Sequence, residues 1–345
     1  MKSFLTTART SRAIAIALIG VTSLAVLVGC GVSPVGPVPI TKTGSAQSPL
    51  GVAFNPSTNL YYVAGGKTNS VSIYDGSTNI LKGTIATGND PMGVAINPVT
   101  DTIYVTNYSD GTLSVINGDS NIVTATVANL GDSPYAVAVD PITSRVYVAD
   151  WYLQPTNNLY VLDGTKNTII TALQVGGGAY VGGLAVNTVT NTIYASTMSG
   201  LFVVNGSTNT VTTFLGDGVT GSEESPYVAH GVGVDETTNT VYVSFAQYGP
   251  SEIAVVNGAT NSVVGSIPLT SEPSSLAVNP VTHMVYVVVP DATAITVING
   301  STMALASPIN LSGNPVSLAV NPTAALVYIE QSNGMSGTSV SAVKM

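Results

Sequence analysis

Residues able to do chemistry are sparse in this chain, and most of them fall in two stretches. Gly216 to His230 reads GDGVTGSEESPYVAH, so that Glu223, Glu224 and Tyr227 precede one of only two histidines. A carboxylate beside an imidazole orients the ring and stabilises its charged form, which is how a histidine becomes a general acid or base. Asp150 to Asn158 reads DWYLQPTNN and holds the only tryptophan, Trp151, next to Tyr152. Tyr135, Tyr180 and Tyr248 stand in comparable loop sequence. Aromatic rings among carboxylates suit a glycan or a peptide, since apolar faces stack while polar edges bond hydroxyls or amides. Two plainer readings stand beside these: tyrosines that merely pack between elements, and a hydrogen-bonded structural histidine at position 230.

Much chemistry is excluded. Cys30 is the only cysteine, so the chain can form no internal disulfide, and there is no Cys or His set for zinc or heme. A phosphate-binding glycine loop is absent as well. Carboxylate oxygens are the ligands Ca²⁺ prefers, but no single loop has calcium-motif spacing. No cofactor is therefore expected, with Ca²⁺ as the one metal left open.

The elements that must carry these residues repeat. Copies of one unit begin at Gly51 (GVAFNPSTNLYYV), Gly93 (GVAINPVTDTIYV), Ala136, Gly183, Gly231, Ser275 and Ser317, spaced 42 to 48 residues apart. A period in the forties built of short strands marks a blade-type repeat. Within each unit a strand ends in an Asn-Pro-type turn, and a second strand rich in Val, Ile, Thr and Tyr follows. A third strand ends in an Asx-Gly pair such as Asp75-Gly76 or Asn117-Gly118. The glycine is expected to take positive φ and turn a hairpin into a fourth strand. Four antiparallel strands per unit make one blade, and seven units predict an all-β, seven-bladed β-propeller.

The second strand reads YVTN at Tyr104 to Asn107, with YVAG, YVAD, YAST, YVSF, YVVV and YIEQ in the other units. Together with the NP-x-T turn and the NG-x-T-N hairpin, this resembles the YVTN-repeat β-propellers of bacterial and archaeal envelope proteins. The resemblance covers about residues 38 to 345 and implies a fold more firmly than an activity. Propeller lactonases and streptogramin-lyase-like enzymes are related in shape, but their clusters of His, Arg or metal ligands have no counterpart here.

In such a ring, the loops joining fourth to first and second to third strands lie on one face, called the top. Both unusual stretches fall there, which gathers Tyr135, Trp151, Tyr152, Tyr180, Glu223, Glu224, Tyr227, His230 and Tyr248 at one mouth as candidate ligand-binding residues. Leu50, Met92, Tyr135, Gly182, His230, Ser274 and Val316 are expected to ring the channel opening, whereas His283 falls on the bottom face. The seventh unit ends after its third strand, so Val38 to Thr43 is expected to supply its fourth and latch the ring shut.

Residues 1–29 read as a signal segment. Lys2, Arg9 and Arg12 precede an apolar run, Ala13 to Val28, shorter than a membrane-spanning helix. Leu27 to Cys30 (LVGC) resembles a lipobox, which implies lipidation of Cys30, and residues 30–37 then form the lipidated residue and a tether before the propeller of residues 38–345. Beyond Cys30, eighteen carboxylates face six basic side chains, a net charge near −12. That field repels nucleic acid and anionic lipid and favours cations or basic partners. The expectation is a non-catalytic binding module, monomeric, held outside the cytoplasm by its lipid alone and binding a cell-envelope protein, peptide or glycan. An outer membrane is favoured, since Gly31 is not the Asp that retains some lipoproteins at an inner membrane. The alternatives are a lactonase- or lyase-type enzyme using His230 with Glu223 or Glu224, and a purely structural envelope protein.

Overall fold

The computed structural model describes residues 51–151, 159–175, 180–216, 228–246, 251–332 and 338–344. Its strands form seven antiparallel sheets, one per sequence unit. Blade 1 holds β1 (Val52–Asn55), β2 (Leu60–Ala64), β3 (Ser70–Asp75) and β4 (Leu81–Ala86); blade 2 holds β5 (Pro91–Asn97), β6 (Thr102–Asn107), β7 (Thr112–Asn117) and β8 (Ile122–Val127). Blade 3 holds β9 (Pro134–Asp140), β10 (Arg145–Asp150), β11 (Leu159–Asp163) and β12 (Thr168–Leu173); blade 4 holds β13 (Val181–Asn187), β14 (Thr192–Thr197), β15 (Gly200–Asn205) and β16 (Thr210–Leu215). Blade 5 follows with β17 (Val228–Asp235), β18 (Thr240–Ala246), β19 (Glu252–Asn257) and β20 (Ser262–Pro268). Blade 6 has β21 (Leu276–Asn279), β22 (Met284–Val288), β23 (Ala294–Asn299) and a fourth strand split into β24 (Ala304–Leu305) and β25 (Ile309–Asn310). Pro308 explains the split, because it has no N–H to give a ladder. Blade 7 shows β26 (Asn314–Asn321), β27 (Leu326–Ser332) and β28 (Thr338–Lys344); the proposed latch, like the signal segment and tether, lies outside the described residues.

The molecule is a seven-bladed β-propeller, and its core is divided into seven apolar clusters, one in each joint between neighbouring blades. The period-two alternation of the second strands explains this. In β6, Ile103 and Val105 face blade 1 while Tyr104 faces blade 3. Blade 7 meets blade 1 through aromatic rings: Tyr328 stacks on Tyr61 at 4.3 Å and on Phe54 at 5.4 Å.

Each position of the YVTN strand has a mechanical task. The tyrosines Tyr62, Tyr104, Tyr147, Tyr194, Tyr242, Tyr286 and Tyr328 are at most 2% exposed. Tyr104 reaches forward to donate its hydroxyl to Gly164 O of the next blade at 3.2 Å, and Tyr328 donates to Gly76 O at 2.8 Å. The Thr position also reaches forward: Thr106 Oγ1 accepts from Gly93 N (2.8 Å) and donates to Tyr135 O (2.9 Å), and Ser244 Oγ repeats this with Gly231 N and Ser274 O, both at 2.7 Å. The Asn position pins the loop entering its own blade, as Asn107 accepts from Gly88 N at 3.1 Å and Asp150 from Ser133 N at 3.0 Å.

The hairpins correct one expectation. Gly76, Gly118 and their counterparts do not carry the positive φ; it falls three residues later, on Asn79, Asn121, Asn167, Asn209, Asn261 and Met303. The glycine is required by crowding instead, since a Cβ at Gly76 would lie 2.7 Å from the Tyr328 hydroxyl and one at Gly164 2.8 Å from that of Tyr104. The first turn of each blade has its own left-handed residue: Asn59, Asp101, Ser144, Asn191, Asn239, His283 and Ala325, with φ from 48 to 57°. Just before each such turn sits a buried Asn or Asp whose Oδ1 caps it, as Asn97 does for Val99 N at 3.0 Å. Its other atom often crosses to the neighbouring blade's left-handed residue. Asn55 Nδ2 donates to Asp101 Oδ1 (2.6 Å), Asn187 Nδ2 to Asn239 Oδ1 (2.9 Å), and Asp235 Oδ2 meets His283 Nδ1 (2.7 Å). His283 is thus a bottom-face joint residue.

Candidate functional site

The first strands run down the channel, and their opening residues build its lining in rings. Gly51, Gly93, Ala136, Gly183, Gly231, Ser275 and Ser317 form a ring of small residues. Smallness is forced by the next blade's backbone, because a Cβ on Gly93 would stand 2.5 Å from Tyr135 O. An apolar ring follows, with Val52, Val94, Val137, Leu184, Val232, Leu276 and Leu318. Above them, Tyr135, Gly182, His230, Ser274 and Val316 border the opening as expected, and the cavity holds about 270 Å³. Met92 does not border it, and Leu50 lies outside the described residues.

Trp151 also lines this cavity. Its ring lies 4.6 Å from Tyr135 and 5.0 Å from Tyr180, while Tyr108 meets Tyr135 edge-on at 6.5 Å. The result is a row of four rings across blades 2 to 4. Tyr108 was not among the sequence candidates, although it directly follows the YVTN motif in a top loop. Burial, reinforced by the Tyr108 ring, pushes the Tyr135 hydroxyl up to about 12, so it is a neutral donor at physiological pH. Tyr152, Glu223, Glu224, Tyr227 and Tyr248 lie outside the described residues.

His230 is half-buried at the same opening. Burial lowers its pKa, opposed by the charge of Glu272, so the imidazole is neutral at pH 7. Its backbone carbonyl, rather than its ring, joins the blades, accepting from Ser196 Oγ at 3.1 Å.

Several top-face carboxylates are already committed. Asp110 accepts from Asn89 N and Nδ2, both at 2.7 Å, and those bonds hold its carboxyl below the usual range. Asp150 is fully buried in its capping role. Glu330 takes the Thr position of the motif in blade 7; it is 1% exposed, accepts from Ser317 Oγ at 2.9 Å, and its Oε1 has no partner. Burial raises its pKa well above the carboxylate range. Among the described residues, no three of His, Cys, Asp or Glu gather to hold a metal ion, and no helix is long and apolar enough to cross a membrane.

No family model matches the chain, and no curated protein matches it. A solved structure, Kuenenia stuttgartiensis hydrazine synthase, is similar with a TM-score of 0.73 at 13% identity, over 89% of this chain and 99% of that one. At that identity the likeness concerns the propeller fold alone.

Proposed function

We propose that this chain is a lipid-anchored, extracytoplasmic β-propeller of the YVTN-repeat type, acting as a non-catalytic binding module through its top mouth. The observation that carries this reading is the row Tyr108, Tyr135, Trp151 and Tyr180 beside a channel mouth lined with apolar and small side chains. Long loops on a rigid ring are where such scaffolds place recognition. Trp151 is flanked by two rings, so the row offers edges carrying N–H and O–H donors more than free faces. Donor edges beside an apolar well fit the carbonyls and side chains of a peptide segment of an envelope protein better than a stacked sugar.

Trp151 is the only tryptophan, so its emission reports directly on the mouth. Titrating the protein with envelope-derived peptides and with glycans should shift Trp151 emission for a peptide and raise the melting temperature by mass action. Trp151→Ala should abolish the melting shift. A panel that moves neither signal overturns the reading. The enzyme alternative rests on the neutral imidazole of His230 at the cavity edge. His230→Ala would then abolish turnover of a lactone or related substrate, whereas a binding role predicts only a change in affinity.

A further inference from the structure

The well below the mouth and the rim around it differ in chemistry. At about 270 Å³ the well is smaller than the roughly 300–1,000 Å³ of sites that enclose a whole small molecule, and it suits one large side chain. Protein partners anchor in this way, with an aliphatic or aromatic side chain buried at the centre of the contact. The walls are the small ring and the apolar ring described above. Among the described residues no carboxylate, Lys or Arg lines the well, so a charge brought inside would go unpaired. The anchor is therefore apolar.

The rim is acidic on two sides. Asp90 and Glu272 stand three residues before Gly93 and Ser275 of the small ring, the place that Tyr180 holds in blade 4. The charge of Glu272 reaches His230 at the opening. Asp132 lies in the loop that enters blade 3, and Asp291 in the top loop between β22 and β23 of blade 6. Asp132, Glu272 and Asp291 are exposed and Asp90 is half-buried. Lys67 is the one base to set against them among the described top-face residues, whereas the bottom face mixes Lys82, Arg145, Lys166 and Lys344 with its carboxylates. Blades 2 and 6 stand three apart in a ring of seven, on opposing sides of the opening. We infer that the mouth receives a basic peptide segment, with one apolar side chain seated in the well and lysine or arginine on either side of it, over the carboxylates of blades 2 and 3 and of blade 6. The inference rests on the peptide-binding reading above and adds the residues that the partner must carry. Complementary charge of this kind speeds encounter and rejects acidic partners.

The test titrates the full chain into short fluorescein-labelled peptides and reads anisotropy at low and at high salt. The peptides carry leucine, phenylalanine or serine at the centre and lysine, serine or glutamate around it. At low salt a lysine-flanked leucine or phenylalanine peptide should bind at least about tenfold tighter than its serine-flanked counterpart, and high salt should remove most of that advantage. Glutamate-flanked peptides should not bind. Glu272→Gln should weaken the lysine-flanked peptides roughly two- to fivefold, as loss of one exposed ion pair allows, and leave the serine-flanked ones unchanged. Val316→Trp, which fills the opening from its border, should weaken both. The serine-centred peptides test the well without altering the protein. Lysine- and serine-flanked peptides of equal affinity overturn the basic partner and leave a peptide-binding module standing. A lysine-flanked serine peptide that binds as tightly as the leucine one overturns the seated anchor. Failure of every peptide overturns the inference together with the peptide reading beneath it.

Discussion

Ala325 breaks the pattern of the joints, and mending it should stabilise the ring. In blade 6, Asn279 is fully buried, and its Oδ1 is committed to Val281 N at 2.9 Å and Thr282 N at 3.2 Å. Its Nδ2 has no partner, because the residue opposite in blade 7 is Ala325, where blades 2 and 5 offer Asp101 and Asn239 as acceptors. Ala325 also holds φ of 52°, a conformation that costs an L-residue with Cβ about 1–2 kcal/mol and that Asn adopts more readily. Ala325→Asn addresses both defects. Relief of backbone strain should contribute about 0.5–1 kcal/mol, and pairing a buried donor about 1–2 kcal/mol. At ~2 cal/mol/K of unfolding entropy per residue, a total of ~1.5–3 kcal/mol raises the melting temperature of a domain this long by roughly 2–5 °C. Calorimetry of Ala325→Asn beside Ala325→Gly separates the parts, since glycine relieves φ without supplying an acceptor. Should the two variants melt together, the Asn279 bond does not form and the account of these joints is wrong.

Other expectations follow from the same joints. Gly164→Ala, which drives a methyl group against the Tyr104 hydroxyl and Ser144 O, should destabilise by about 1–3 kcal/mol in chemical denaturation. Glu330 keeps its proton in the folded state above 4.5, where an unfolded glutamate would lose it, so it costs stability progressively as pH rises past that value. Glu330→Gln should therefore melt higher than the parent at pH 7 and equally at pH 4, and an unchanged difference across that range would contradict the protonated reading. Asp235, on balance held below its usual range, contributes stability above about 3.8 that is lost as acid protonates it, despite the opposing cost of burial. Asp235→Asn should flatten the loss of melting temperature below pH 4. Deleting residues 38–46 should lower the melting temperature far more than deleting 31–37, and equal losses would dispose of the latch.

The ring was legible because seven copies of one pattern vote together: strand alternation, Asn-Pro turns and Asx-Gly pairs each recur in order. What misled was the glycine. From local preference, Asn-Gly reads as positive φ, whereas Gly164 is small because Tyr104 arrives from another blade, a contact about sixty residues away that no local rule contains. The mouth was half legible. Tyr135, Trp151, Tyr180 and His230 come together because loop lengths and strand order already placed them on one face. Tyr108 was not legible because it lies in a loop of ordinary length, and the burial of Glu330 follows from the blades packed around it, which its own stretch of sequence does not contain.

In blade 2 the forward reach of Tyr104 and Thr106 gives that blade a donor side that meets acceptors on the next, and Ser196, Ser244 and Tyr328 repeat one or other half of this clasp in blades 4, 5 and 7. A duplicated unit therefore carries both halves of its joint with it, and where the hydroxyl bond is missing, as at Tyr62, Tyr147 and Tyr194, the buried ring still packs across to the next blade. At the first turns, where Asn239 and His283 close on the buried Asn187 and Asp235 of the blade behind and Ala325 leaves Asn279 Nδ2 unmet, the copies have drifted apart.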